Sequence, residues 1–424
     1  MKSKYTSIFL LVFMLYACVP SSEKTYTYLV NEPIYMDINE FRNSVAITQD
    51  THPITSYGKI SYYKGFLFVS EPQKGIHIIN NTNPNNPYIV GYIELLGNAD
   101  IAIKNDILYA DSYIDLVWFN ITNPSIPVYE GRLENAFEEA FPPLEDVNLG
   151  IDGSMVWNKP DDKIIVGWTI TSRTETRSNS IFSGFPWWIE TDPVPVMSEK
   201  NTNGINGSMS RFSLHDDYLY AVINNNMSII NVSGTTPVKA VDNLYIGWNV
   251  ETIFYYKNNM FMGTPTGLLI YSVENPTQPL FKSSIQHVLG CDPVVVENDI
   301  AYVTIHSGNL CGQNNNELIA IDVKDVENPK QVVSYTMTKP KGLGIDNGTL
   351  FICDDGLKIY KADNPQTIMA NKLAHYTNID GYDVIPFENT LMMIASDGIY
   401  QYDYSDLNNI HQISFLPMTN EKEE

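Results

Sequence analysis

The chain is short of positive charge, with 26 Lys and Arg against 49 Asp and Glu in 424 residues and a formal net charge of −23. A surface that negative repels a phosphate backbone, which excludes nucleic acid as a partner. Charge of either sign is sparse, at 18% of residues, while 44% are hydrophobic, so the chain can bury a large core and is not a disordered polymer. Cysteines number four, with no CxxC pair and no Cys/His cluster at zinc-finger spacing, which gives a structural metal site no support. The seven histidines form no HxxxH pair, and neither a GxSxG elbow nor a Gly-rich phosphate loop occurs. Beyond the first eighteen residues no stretch is long and apolar enough to span a bilayer.

What is present begins at the N-terminus. Lys2 and Lys4 precede the apolar run YTSIFLLVFMLYA, which ends at Ala17 and Cys18. A basic n-region, a short h-region and a small residue before cysteine resemble a bacterial lipoprotein signal peptide with its lipobox. The resemblance implies removal of residues 1–17, lipidation of Cys18, and a body outside the cytoplasm on a bacterial membrane, the outer membrane being the expected one. The expected organisation is then a tether and N-terminal segment over 18–57, a repeat body over 58–418 and a polar tail over 419–424. Within 18–57, Val19 to about Thr25 reads as polar tether, and 26–57 as a short strand and helix beside the first repeat. In an oxidising compartment Cys291 and Cys311 flank two strands joined by a turn, and a hairpin brings such ends together for a disulfide. Closing that loop of about twenty residues stabilises by about 3 kcal/mol on the chain-entropy account. Cys353 then reads as a buried thiol, with its pairing to either of the others as the alternative.

One pattern returns along the body: a short strand, a tight turn, a strand with an aromatic, a Gly-led apolar strand, then an Asn-Pro turn. The apolar residue near the start of the second strand is Leu67, Leu108, Leu219, Phe261, Ala301, Leu350 and Leu391, at steps of 41, 111, 42, 40, 49 and 41 residues. A period near 41 built of four short strands is the mark of a propeller blade. From Gly58 to Met418 is 361 residues, and removing about 70 for the long second step leaves seven units. The fold class expected is all-β: a seven-bladed β-propeller with an insertion at about 138–207 between the second and third repeats.

The third strands GIHIINNTNP, LVWFNITNP and ELIAIDV are similar to the LVIVD repeat. With ADSYIDLVWF, CDPVVVENDIAYVTIHSGNLCG, GLGIDNGTLFICDDGLKIY and DGIYQYDYSD, the chain resembles the LVIVD-repeat β-propeller lipoproteins of bacteria over about residues 30–416. The resemblance implies fold and surface location. It implies no reaction, since that family has no established one, and function has to come from sites.

Two candidate sites follow. The first strand of every blade lines the central channel, so residues at its start converge. Counting back from the landmarks gives Lys59, Asp100, Arg211, Glu251, Asp292, Gly342 and Asp383, six of seven ionisable. Such a cluster either grips a cation or polyhydroxyl ligand or pairs internally to plug the channel. No cofactor is expected, with a calcium ion in this cluster as the alternative. The second candidate is the insertion, which holds Trp157, Trp168, Trp187 and Trp188. There KIIVGWTIT reads as a strand that extends a blade, and Trp187 and Trp188 are either displayed to a partner or cap the insert's own core. The Asp354-Asp355-Gly356 and Ser396-Asp397-Gly398 segments look like calcium-loop fragments, but the repeat explains them as the turn before the third strand. The functional expectation is a binding or scaffold module for a protein or glycan, with a carbohydrate-active hydrolase or lyase in the central funnel as the alternative.

Overall fold

The computed structural model describes residues 23–49, 52–137, 140–178, 210–223, 225–247, 250–265, 267–286, 293–306 and 315–419. Cys18, Trp187, Trp188, Cys291, Asp292 and Cys311 lie outside them, and with them the lipidation, disulfide and tryptophan-pair expectations.

Seven antiparallel sheets follow one another in chain order, six of four strands and the first of five. Blade 1 runs Ile60–Tyr63, Phe66–Glu71, Gly75–Asn80 and Tyr88–Glu94 from the axis outwards. The innermost strands of blades 2 to 7 are Ile101–Lys104, Phe212–His215, Thr252–Tyr256, Val294–Glu297, Leu343–Asp346 and Gly381–Phe387. Each abuts the next, and Gly381–Phe387 returns against Ile60–Tyr63, so the ring closes as a seven-bladed β-propeller.

The core explains why the second and third strands read as continuous apolar runs. Side chains alternate across a strand, so in a sheet packed on both faces both sets are buried. Seven apolar clusters fill the seven blade interfaces. Leu108, Val117 and Phe119 face blade 1, while Tyr109, Leu116 and Trp118 from the same strands face blade 3. All seven landmark residues are fully buried.

Turn chemistry fixes the hairpins. Six of the seven first turns place two central residues at positive φ, as at Asn105 and Asp106 (51° and 63°) or Asn298 and Asp299 (52° and 63°), the angles that match the twist of paired strands. The glycine that leads the third strand has a different cause. A Cβ on Gly75, Gly267 or Gly356 would stand 2.0, 2.0 and 1.9 Å from a carbonyl oxygen of the neighbouring outermost strand, Ile93, Ile285 and Tyr376 respectively. Backbone cannot yield as a side-chain end can. Gly356→Ala is expected to lower stability by about 3 kcal/mol in urea unfolding, and Gly150→Ala, with nothing within 4 Å, to leave it unchanged.

No blade mixes strands from the two termini. Closure instead uses side chains. Asn81 Nδ2 donates to Gln401 Oε1 at 2.9 Å, Gln401 Nε2 donates to Asn81 Oδ1 at 2.7 Å, and both residues are buried. An apolar cluster of Ile60, Leu67, Ile79, Tyr382, Met392 and Ile399 backs this pair, and Thr419 N donates to Ile54 O at 2.9 Å.

The N-terminal segment departs from expectation. Its strand is long, Glu23–Asp37, so the span read as tether to Thr25 is already sheet from Glu23. It pairs antiparallel with Lys163–Ser178 of the insertion. The KIIVGWTIT strand therefore extends no blade; it forms a two-stranded ribbon with the N-terminus, with Ile164 packed on Phe41 and Tyr113 and with Ile165 and Trp168 in the insert's own core. A helix, Ile38–Arg42, and a short strand, Ala46–Thr48, follow, the latter pairing with the outermost strand of blade 1. Trp168 is buried in the insert's small core with Leu144, Val156 and Ile165, its Nε1 donating to Pro142 O at 2.8 Å, whereas Trp157 is exposed.

Candidate functional site

Strand direction alternates within a blade, so the start of the innermost strand and the turn between second and third strands lie at one end of the ring, here called the mouth. Every buried carboxylate or ammonium among the described residues sits at that end: Glu71, Asp100, Asp111, Asp115, Lys341, Asp354 and Asp383. The other end is clasped between blades. Tyr63 and Lys64 bond Asp106 (3.0 and 2.6 Å), and Tyr256 and Lys257 bond Asp299 (3.2 and 2.7 Å), so each pair joins one blade's first turn to the next.

Lys59, Asp100, Arg211, Glu251 and Gly342 each stand immediately before an innermost strand, and Asp383 is the third residue of the seventh. The structure joins three of them. Lys59 Nζ meets Asp100 Oδ1 at 2.8 Å, and Asp100 Oδ2 accepts from the backbone N–H groups of Arg211 and Phe212. Ile101 N also donates to Asp100 Oδ1 at 2.8 Å, so both oxygens of this buried carboxylate are engaged. Lys59 also donates to Ser210 Oγ. Asp100 thus staples blades 1, 2 and 3 instead of facing an empty funnel. Asp383 is fully buried beside Gly342, where a Cβ would meet its Oδ1 at 2.6 Å. Glu251 is half-buried, its N–H donating to Gly263 O at 2.9 Å.

Sequence counting missed the residues that complete the mouth. In blade 6 the charged group is Lys341, one position before the counted Gly342. It is buried, bonds Asp380, and lies 3.6 Å from the centroid of the Tyr382 ring. Tyr382 donates to Asp380 Oδ2 at 2.7 Å and stacks on Tyr57 of the N-terminal approach at 4.3 Å. Burial pulls the Lys341 amine down, against the Asp380 carboxylate that raises it. Burial works to raise the Asp380 carboxyl, but hydrogen bonds from Lys341 and Tyr382 hold it low. Nearby His306 is pushed down to about 4 by burial and by Lys339 and Lys341. Glu71, bonded to His77 Nε2 at 2.6 Å, resists burial through that bond and one from Thr55 and stays at about 2.

Behind Asp100, Asp111 Oδ1 accepts from Asn98 Nδ2 (3.1 Å), Ala99 N (2.7 Å) and Asp100 N (2.9 Å). Burial pushes its carboxyl up to about 6, outweighing Arg211 and those donors. The folded state then binds a proton more tightly than the unfolded one, so stability from Asp111 is full below about pH 4 and is lost as pH rises through 6. Asp111→Asn keeps the accepting oxygen and removes the titration. Its urea midpoint is expected to fall less than the wild type's between pH 4 and 7, a difference of about 2–3 kcal/mol.

Asp354 is a turn staple, accepting from Lys339 N (2.6 Å) and Lys358 Nζ (2.6 Å), and Asp397 accepts from Tyr400 at 2.7 Å. Among the described residues no three His, Cys, Asp or Glu side chains converge on one point. Cys353 is buried, and burial raises its thiol well above the ordinary value.

No protein-family profile matches the chain, and no curated protein does. Among solved structures it is similar to the computationally designed Ika8 protein, at 8% identity over 88% of this chain and 91% of that one, with a TM-score of 0.51. Kluyveromyces lactis Hsv2 aligns at 8% identity over 86% of this chain and 99% of its own, with a TM-score of 0.47. The first likeness is one of fold alone.

Proposed function

We propose that this propeller is an extracytoplasmic binding or scaffold module, held to a bacterial membrane through Cys18, which engages a protein or glycan partner with the rim of its mouth. The observation that carries this reading is that the charges at the channel are spent on one another and on backbone groups. Asp100 has both oxygens engaged and Lys341 has Asp380 and Tyr382, so these two charges are paired within the protein and not poised across a cleft. The described strand ends Gln286 and Val294, and Ile305 and Glu317, which flank the longer departures from the repeat around blade 5, lie at the mouth, as do Leu133 and Phe212 on either side of the insertion. Loops placed on a rigid scaffold are where recognition is usually built.

Two experiments test it. Metabolic labelling with an alkyne fatty acid is expected to tag the wild type and not Cys18→Ser, which should leave the membrane fraction; an unlabelled wild type contradicts the anchor. Glycan and peptide arrays probed with wild type, Asp292→Ala and Trp187→Ala are expected to show a ligand lost with the rim variant Trp187→Ala and kept with Asp292→Ala. Loss with Asp292→Ala alone would return the site to the funnel.

A further inference from the structure

The ribbon of Glu23–Asp37 with Lys163–Ser178 is buried against the ring at its base. At its base Phe41, Tyr113 and Ile164 pack together, and Tyr113 donates to Val166 O at 2.9 Å. Midway, the Asn31 side chain donates to Asp146 O and Leu149 O at 2.8 and 2.9 Å. Beyond Val30 the burial stops. Residues 25–29 are all exposed, Tyr26 by 47%, Tyr28 by 41% and Leu29 by 54%, although side chains there point to both faces of the ribbon. A two-stranded ribbon is marginal by itself, and half-exposed large apolar groups on both of its faces gain from a further covering surface.

Chain position says which surface. Four residues separate Cys18 from Glu23, so the ribbon tip cannot lie more than about 17 Å from the Cys18 Cα. The paired tip, 23–29 with 172–178, holds three bases against two acids, while the whole chain carries −23. An anionic surface therefore repels it less than it repels the chain as a whole. Tyrosine rings with a polar tip suit the headgroup layer of a bilayer, where one end is apolar and the other wet.

We infer that the ribbon tip is a membrane-contacting surface, with Tyr26, Tyr28 and Leu29 in the headgroup layer of the bilayer that holds Cys18, and the ribbon acting as a spacer for the propeller. The inference rests on the proposed anchoring at Cys18. The test uses the lipidated full chain in phosphatidylethanolamine and phosphatidylglycerol vesicles, with a bimane label on Tyr28→Cys, on Leu29→Cys or, at the opposite end of the ring, on Phe387→Cys. Lipids bearing a doxyl quencher near the headgroup are expected to dim the first two labels about twofold and to leave the third unchanged. Quenching at position 28 no greater than at 387 overturns the inference, as does shielding of position 28 before vesicles are added, which would mean that protein covers it. Should mass spectrometry show no acyl chains on Cys18, the same chain begun at residue 19 behind a histidine tag is held on nickel-chelating lipid in the same vesicles. Quenching there sustains the tip contact while the anchor reading fails, and its absence removes both.

Discussion

Asp100→Ala is expected to destabilise the protein by about 3–5 kcal/mol, the usual result of removing one member of a buried, hydrogen-bonded ion pair. The loss comes from what is left behind. Lys59 keeps Ser210 as a neutral partner for its charge, the half-buried Arg211 N–H loses its acceptor, and Phe212 N–H is left with Ser210 Oγ at 3.2 Å. Lys59→Met should cost less, about 1–3 kcal/mol, because Asp100 retains three backbone donors. The pair of urea titrations decides what the mouth is for. A ligand-gripping carboxylate, which pays for its exposure to a ligand in stability, would make Asp100→Ala neutral or stabilising.

Asp115→Ala is expected to have an effect of the same size and a more local signature. This fully buried carboxylate receives Arg42 Nε at 2.9 Å, Arg132 Nη1 at 3.0 Å and Asn135 N at 2.7 Å. Arg42 ends the N-terminal helix and Arg132 belongs to the outermost strand of blade 2, so one side chain ties the ribbon's base to the ring. Removing it takes the carboxylate from the buried Arg132, which keeps only Ser112 Oγ at 3.3 Å, and leaves Arg42 with Glu134 alone, at about 3–5 kcal/mol. Hydrogen exchange should rise over residues 23–48 and 163–174, with blade 5 unchanged. Uniform loss of protection would show the ribbon and ring to be one cooperative unit.

The propeller was legible because its physics repeats. A strand buried on both faces reads as an unbroken apolar run, a twisted hairpin demands turn residues that accept positive φ, and a glycine leads the third strand in four of the seven blades, at Gly75, Gly267, Gly356 and Gly398. Repetition made each signal visible, the apolar run most of all, with Leu67, Leu108, Leu219, Phe261, Ala301, Leu350 and Leu391 fully buried. The mouth was half legible. Its positions before the innermost strands followed from the repeat, but whether a charge there faces solvent or a neighbouring blade depends on contacts across 41 to 111 residues of chain, as for Lys59 with Asp100 and Asp100 with Arg211. A one-residue offset in blade 6 moved the count from Lys341 to Gly342. The ribbon was not legible at all as a pair. Residues 23–37 and 163–178 are joined only by their burial needs, and nothing in either segment names the other.

The mouth exists only if the first and seventh blades meet, and Asn81 with Gln401 is where that can be measured. A double-mutant cycle with Asn81→Leu, Gln401→Leu and the double variant is predicted to give a coupling of at least about 1 kcal/mol, because each single change takes from the other buried amide its paired partner, leaving Gln401 only Pro84 O at 3.2 Å, and the double change removes both amides. Additive losses, with no coupling between residues 320 positions apart, would contradict the closed ring.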